Sequence, residues 1–113
     1  MPSNLFDLPE NLSAEECFEP LVQGDRLRIE RIISTGQITP VDQWYDQNQD
    51  EWVVLLQGEA ELTYGDGSSQ TLQAGDYVWI PAHDRHRVTY TSSDPPCIWL
   101  AVHFEPSLGE ESH

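Results

Sequence analysis

The sequence predicts an all-β domain, either a small barrel or a sandwich of two sheets. Roughly six to eight short segments alternate apolar and polar residues or form compact apolar runs, and turn residues separate them at fairly even spacing. Helical periodicity is nearly absent. At 113 residues the chain is long enough for one hydrophobic core and too short for two. We therefore expect a single β-domain.

Residues 1–24 are predicted to form an N-terminal arm with a short helix. Prolines and asparagines in the first twelve residues are typical of an extended segment. Ser13 and Glu16 have the spacing of a capping box, which predicts a helix over residues 14–18 that ends before Pro20. A turn at residues 23–25 then leads into the β-domain.

The β-domain is predicted to span residues 25–106. Residues 26–33 alternate like a half-buried strand, and the apolar run at residues 52–56 indicates a central strand buried on both sides. Turn signals separate further strands at residues 59–64, 70–73, 77–80, 86–91 and 97–104. Residues 107–113 are small and acidic, which predicts a flexible tail.

Strand alternation also predicts which side chains face inward. Trp52 belongs to an apolar strand face opposite Glu51, and that face needs a cover. Either the N-terminal arm or a second subunit would supply it, and we predict a homodimer. On the last strand we expect Leu100 and Val102 to face the interior, which leaves His103 a structural role.

The charge of the chain limits its partners. Asp and Glu number 20 against 5 Lys and Arg, for a net charge of −15 that repels nucleic acid and anionic lipid. No run of about eighteen apolar residues predicts a membrane span, and residues 1–7 lack the basic and apolar regions of a signal peptide. Cys17 and Cys97 are too few for a disulfide framework. We expect a cytoplasmic protein that binds a small molecule.

Residues 75–86 carry the most informative pattern. Gly75 supplies a turn, residues 77–80 form a short strand, Pro81 ends it, and His86 opens the next strand. This spacing resembles the second signature motif of the cupin superfamily. Two positions differ, because His83 replaces the motif's second glycine and Tyr90 its asparagine.

The first cupin motif is matched only in its second half. Glu51 and Gly58 have the motif's spacing, but its two histidines are missing. The resemblance covers roughly residues 36–104. It implies a single-domain jelly-roll β-barrel with the short N-terminal helix added, and an interior that holds the site.

Two alignments place different residues at the missing histidines. A three-residue spacer before Glu51 gives Tyr45 and Gln47, whereas a four-residue spacer gives Trp44 and Asp46. Because side chains alternate along a strand, Tyr45, Gln47 and Glu51 share one face, and we prefer this alignment. The other alignment needs a bulge.

The resemblance implies a divalent metal between the two motifs, held by Gln47, Glu51 and His86. An imidazole, a carboxylate and an amide oxygen are a possible set for iron, manganese or zinc. Tyr45 or His83 would then move the proton, although His83 also fits an exposed turn.

Trp44 and Arg28 are the candidate ligand-binding residues. Trp44 lies next to the predicted site, with capping of the core as its alternative role. An arginine inside so acidic a protein would bind a carboxylate or phosphate. Arg28 can face inward or outward, and an anionic metabolite is therefore a candidate ligand.

Two functions remain open at this stage. One is a metal-dependent isomerase, lyase or dioxygenase that acts on a small polar or anionic metabolite. The other is a cupin that binds a small molecule without metal and without catalysis. Both depend on Glu51 and His86 reaching the same cavity, which the structure tests.

Overall fold

The computed structural model describes residues 2–12 and 14–105. Within them the chain forms eight strands and no helix, which confirms the all-β prediction. The strands are β1 (Cys17–Gln23), β2 (Leu27–Ser34), β3 (Asp50–Gln57), β4 (Glu59–Tyr64), β5 (Ser69–Gln73), β6 (Tyr77–Ile80), β7 (His86–Thr91) and β8 (Cys97–Phe104). None of this part of the chain forms a helix that could span a bilayer.

The strands form two antiparallel sheets. The larger has five strands in the order β1-β2-β8-β3-β6, and the smaller has three in the order β5-β4-β7. Val53 and Leu55 from the larger sheet join Ala60, Leu62 and Leu72 from the smaller in one buried cluster. The core therefore lies between the sheets, and the predicted central strand β3 lies between β8 and β6.

The predicted short helix is wrong. Residues 14 and 15 are bends, and β1 begins at Cys17 and pairs with β2; Ser13 lies outside the described residues. A helix of one turn makes too few hydrogen bonds to offset its nucleation cost, whereas an extended chain gains the open edge of β2. Pro20 fits this edge strand because the pairing register shifts between Pro20 and Val22. The predicted tail at residues 107–113 also lies outside the described residues.

Two glycines of the cupin-like motifs occupy positions that need glycine. Gly58, between β3 and β4, has φ +93°, and a Cβ there would lie 2.7 Å from Ser92 Oγ. Gly75, before β6, has φ +95°. Both lie in the left-handed region that favours glycine. These turns return β4 and β6 to the sheets and so align the two motifs across the interior.

Candidate functional site

A cavity of about 790 Å³ opens between the two sheets, a size suited to a small molecule. Apolar side chains such as Val53, Leu62 and Trp99 line its inner part. Carboxylates, imidazoles, amides, the Tyr45 phenol and one guanidinium also line it. These polar groups come from both sheets and from the loop before β3, so one bound molecule would contact all three regions.

Glu51 and His86 meet in this cavity. Glu51 is the second residue of β3 and His86 the first of β7, in opposite sheets. His86 Nε2 lies 3.6 Å from Glu51 Oε1, and both side chains are about nine-tenths buried. The sequence-based prediction that the two motifs converge therefore agrees with the geometry.

The backbone holds the His86 ring in one orientation. Its Nδ1 lies 3.0 Å from the Asp84 carbonyl oxygen, which only accepts, so Nδ1 carries the proton and Nε2 faces Glu51. Burial lowers the pKa of His86, but the interactions with Glu51 and the Asp84 carbonyl outweigh it, and the net pKa is raised. The imidazolium form is therefore favoured beside the Glu51 carboxylate.

Tyr45 and Gln47 lie at the same end of the cavity. The Tyr45 ring stacks on the His86 ring with centroids 5.5 Å apart, and their backbones exchange two hydrogen bonds. Burial, and then the charges of Glu16 and Glu51, raise the pKa of the Tyr45 phenol, which stays a proton donor. Gln47 Nε2 donates to Glu51 Oε1 at 3.5 Å.

His83 and Trp44 lie further out. The His83 side chain is 69% exposed, and its Nδ1 pairs with Asp46 Oδ1 at 2.8 Å on the cavity rim. Its φ of 66° explains why the motif has glycine at this position. Trp44 lies outside the described cavity wall, beneath the guanidinium groups of Arg85 and Arg87 at 5.4 and 5.7 Å.

The sequence-based prediction did not place His103 in the cavity. His103 lies opposite Glu51 across the β3–β8 pair, and its Nε2 is 3.0 Å from Glu30 Oε1 and 4.0 Å from Glu51 Oε2. His103 therefore faces inward, and the predicted inward placement of Leu100 and Val102 is wrong. Both strand faces are apolar, so hydrophobicity could not tell them apart, whereas the pairing with Glu51 does.

Arg28 also faces the cavity. It pairs with His103 across β2 and β8, and its side chain lines the cavity wall. Its Nε lies 3.9 Å from Glu30 Oε2. The cavity thus brings together Arg28, Gln47, Glu51 and His86, with Tyr45 stacked beside them.

A tightly held metal ion needs several strong ligands close together. Within residues 2–12 and 14–105, no group of three or more His, Cys, Asp or Glu side chains could hold one. The predicted set of Gln47, Glu51 and His86 has only two strong ligands, and Gln47 turns its amide nitrogen to Glu51. This set does not fit a tightly held metal.

The model of the cupin domain family matches residues 31–103. The chain belongs to the cupin family. Its eight strands in two facing sheets are the jelly roll of that family, and Glu51 and His86 are the two residues it retains at the motif positions that the resemblance assigns to a metal. No curated protein matches this cupin in sequence.

Solved structures agree with this assignment. A protein from Ralstonia eutropha JMP134, provisionally named a mannose-6-phosphate isomerase, is 44% identical to this cupin. Its TM-score is 0.85, and the match covers 93% of this chain and 98% of that one.

Two more distant structures share the fold alone. A cupin superfamily protein from Desulfitobacterium hafniense DCB-2 is 22% identical with a TM-score of 0.72, over 86% of this chain and 84% of that one. The iron(II) form of HppE is 18% identical with a TM-score of 0.66, over 79% of this chain and 50% of that one.

Proposed function

We propose that this cupin is an enzyme of the isomerase type that moves a proton within a small polar metabolite. The observation that carries the proposal is the buried pair of Glu51 and His86, 3.6 Å apart in the cavity. A carboxylate and an imidazolium held together can remove a proton and supply one in the same step. The provisional name of the Ralstonia eutropha relative supports the same reaction class.

The reaction that suits this pair is a proton shift next to a carbonyl group. The Glu51 carboxylate takes the proton from the carbon beside the carbonyl, and His86 Nε2–H gives its proton to the carbonyl oxygen, which forms an enol or enediol. Glu51 then returns its proton to the former carbonyl carbon, and the other enediol hydroxyl gives its proton to His86 Nε2 as the new carbonyl forms, which restores both side chains. The Tyr45 phenol, protonated at neutral pH, donates a hydrogen bond to a substrate oxygen.

Exchange of carbon-bound hydrogen tests this proposal directly. In D₂O, with small aldoses, ketoses and their phosphates as candidate substrates, NMR should show loss of one C–H signal. We expect Glu51→Gln to slow the exchange by about 10²-fold or more, because general-base catalysis contributes that much. Glu59→Gln, an exposed carboxylate on β4, is the matched control and should exchange normally. Equal rates in both variants would contradict the proposal.

Metal dependence is the finer prediction that the family resemblance implies. Iron, manganese or zinc at Gln47, Glu51 and His86 would supply Lewis-acid or redox chemistry when bound. Elemental analysis of protein purified without chelator, with thermal unfolding in added Fe(II), Mn(II) or Zn(II), tests it. Bound metal that His86→Gln abolishes would support it, and an unchanged unfolding temperature with no bound metal would contradict it.

A cupin that binds without catalysis is the second candidate. It is favoured over a metal-dependent enzyme by the absence, within the described residues, of a group of three or more His, Cys, Asp or Glu side chains able to hold a metal. Under this hypothesis the cavity binds its ligand through Tyr45, Gln47 and Glu51. Ligand binding without hydrogen exchange, and only a modest loss of affinity in His86→Gln, would favour it over the enzyme. Roles for His83 as a second acid–base group and for Trp44 as a ligand contact stay predictions.

We also propose that two copies of the chain pair through the outer face of the five-stranded sheet. Paired residues on all five strands form one apolar row across it: Val22, Ile29, Val102, Trp52 and Trp79. Trp79 is 55% and Val22 is 51% exposed. In a chain with a net charge of −15, this uncharged row is where two copies meet with least repulsion.

Light scattering coupled to size-exclusion chromatography measures the mass in solution and so shows whether the chain is a monomer or a dimer.

A cytoplasmic location and the division of the chain at residues 24 and 106 stay predictions as well. Fractionation of the source cells and limited proteolysis test them in turn.

A further inference from the structure

Arg28 carries an unsatisfied donor at the wall of the cavity. Its Nε is buried, and no described residue accepts a hydrogen bond from it. Among the described residues, the guanidinium has one ion pair, with Glu30 Oε2 at 3.9 Å, which is beyond hydrogen-bond distance. A buried donor without an acceptor costs free energy, so its retention here points to an acceptor from outside the chain.

Arg31 shows what a structural arginine looks like on the same strand. Three residues along β2 and on the opposite face, Arg31 Nε donates to Glu19 Oε1 at 2.7 Å. Its Nη1 donates to the carbonyl oxygens of Leu5 and Asp7 at 3.0 and 2.8 Å. The fold thus surrounds one arginine of β2 with acceptors and leaves the other facing the cavity without them.

The surroundings of Arg28 favour an oxyanion at that point of the cavity. Glu30 Oε1 pairs with His103 Nε2 at 3.0 Å, and Glu30 Oε2 lies 3.9 Å from Arg28 Nε, too far for a hydrogen bond. The planar guanidinium offers paired donors that match a carboxylate or a phosphate. The other carboxylates of the wall, among them Glu16 and Glu51, repel an anion and accept hydrogen bonds from hydroxyl groups.

We propose that the ligand of this cavity is a hydroxylated metabolite with one anionic group, a phosphate or a carboxylate, that Arg28 binds. The guanidinium of Arg28, whose side chain is 40% exposed, holds the anionic end, while Glu51 and His86 face the hydroxyl or carbonyl end. The assignment of the reacting end rests on the proposed function. The anion preference rests on Arg28 alone.

Three sugars that differ at one carbon test this preference. Mannose, mannose 6-phosphate and mannuronate share the ring and carry no charge, a phosphate and a carboxylate. Isothermal titration should give about ten- to hundredfold tighter binding for at least one anionic sugar than for mannose, since a charge-assisted hydrogen bond contributes about 1.5–3 kcal/mol. The tighter of the two anions identifies the group that Arg28 binds.

Variants of two arginines separate a specific contact from a general charge effect. Arg28→Gln should remove the preference, while Arg26→Gln, an exposed arginine in the preceding turn, loses the same charge and should keep it. Inorganic phosphate is the probe that needs no sugar. At about 20 mM it should raise the unfolding temperature of the wild type and of Arg26→Gln more than that of Arg28→Gln.

Equal affinity for all three sugars, or a preference that survives Arg28→Gln, would overturn the inference. The inference would also be overturned if no sugar bound and if phosphate raised the unfolding temperature of Arg28→Gln as much as that of the wild type. The two proposals fail separately. An Arg28-dependent anion preference without hydrogen exchange defeats the isomerase alone, whereas exchange at equal rates on mannose and its anionic analogues, unaffected by Arg28→Gln, defeats the anion site alone.

Discussion

The five-stranded sheet has one face toward the cavity and the other outward. The inner face carries a group of charged side chains, whereas an uncharged row crosses the outer face. Toward the cavity, Arg28, Glu30, Glu51 and His103 form a connected polar group. On the outer face, an uncharged row across all five strands includes the half-exposed Trp79. Ordinary domains place charges outside and aromatic rings inside.

The buried charges of the inner face and the exposed aromatic rings of the outer face both cost free energy, and neither stabilises the fold in return. Buried charges lose hydration and must be paired, and an exposed aromatic row invites association. The inner face therefore points to a ligand and the outer face to a protein surface. Further along the same inner face, Leu55 and Trp99 form an ordinary core. The sheet thus combines a stabilising end with a functional end, and the following experiments separate them.

The largest expected effect is at the stabilising end. Leu55 is 0% exposed, so Leu55→Ala removes a fully buried side chain and leaves a cavity. We expect the free energy of unfolding to fall by about 2–5 kcal/mol in urea titrations. Val41→Ala, at a side chain 78% exposed, is the control and should change it little. A loss below about 1 kcal/mol for Leu55→Ala would mean that this end of the sheet does not supply the stability.

A charge placed in the apolar row tests whether the outer face is the dimer contact. Trp79→Glu places a carboxylate where two copies would meet, and we expect the dimer to dissociate, with a loss of about 2 kcal/mol or more. Analytical ultracentrifugation over a concentration series measures it. Tyr90→Glu, at a 46% exposed ring on the smaller sheet, is the matched control and should leave the mass unchanged. A Trp79→Glu variant with the wild-type mass would exclude this face.

Variants of Arg28 and Arg31 compare the two faces of β2 directly, because each variant loses one arginine charge. Arg31→Met strands Glu19 and two backbone carbonyls, and we expect the free energy of unfolding to fall by about 2–4 kcal/mol. Arg28→Met removes an unsatisfied buried donor, and without ligand it should leave that free energy unchanged or raise it by up to about 1 kcal/mol. Similar losses in both would show that Arg28 is structural too.

The sequence predicts those parts of the inner site that turn residues and strand alternation determine. Gly58 and Gly75 need glycine for their φ angles, and so their spacing from Glu51 and His86 places the two motif residues correctly. Local pattern is sufficient there, because the turns themselves set the register.

The remaining features depend on contacts that sequence pattern does not contain. β1 forms because β2 offers an open edge, a tertiary effect that overrides the capping-box spacing. Strand alternation assigns His103 to the wrong face because Leu100 and Val102, which lie on the outer face, are as apolar as residues of a core. When the outer face of a strand is apolar too, hydrophobicity does not show which of the two faces is buried.

The smallest expected effect is the pH dependence of the Glu51–His86 pair. The folded-state pKa of His86 is raised above its ordinary value of 6.5, so protonation favours the folded state. The stability that this pair contributes is fully present below pH 6.5 and is lost as pH rises through the raised folded-state pKa. Urea titrations of the wild type and His86→Gln across this range measure it as a difference, in which the repulsion among the other charges cancels. The wild type's advantage should shrink with rising pH, and an advantage that is constant or grows would mean that the carboxylate and the imidazolium do not interact as the inner face requires.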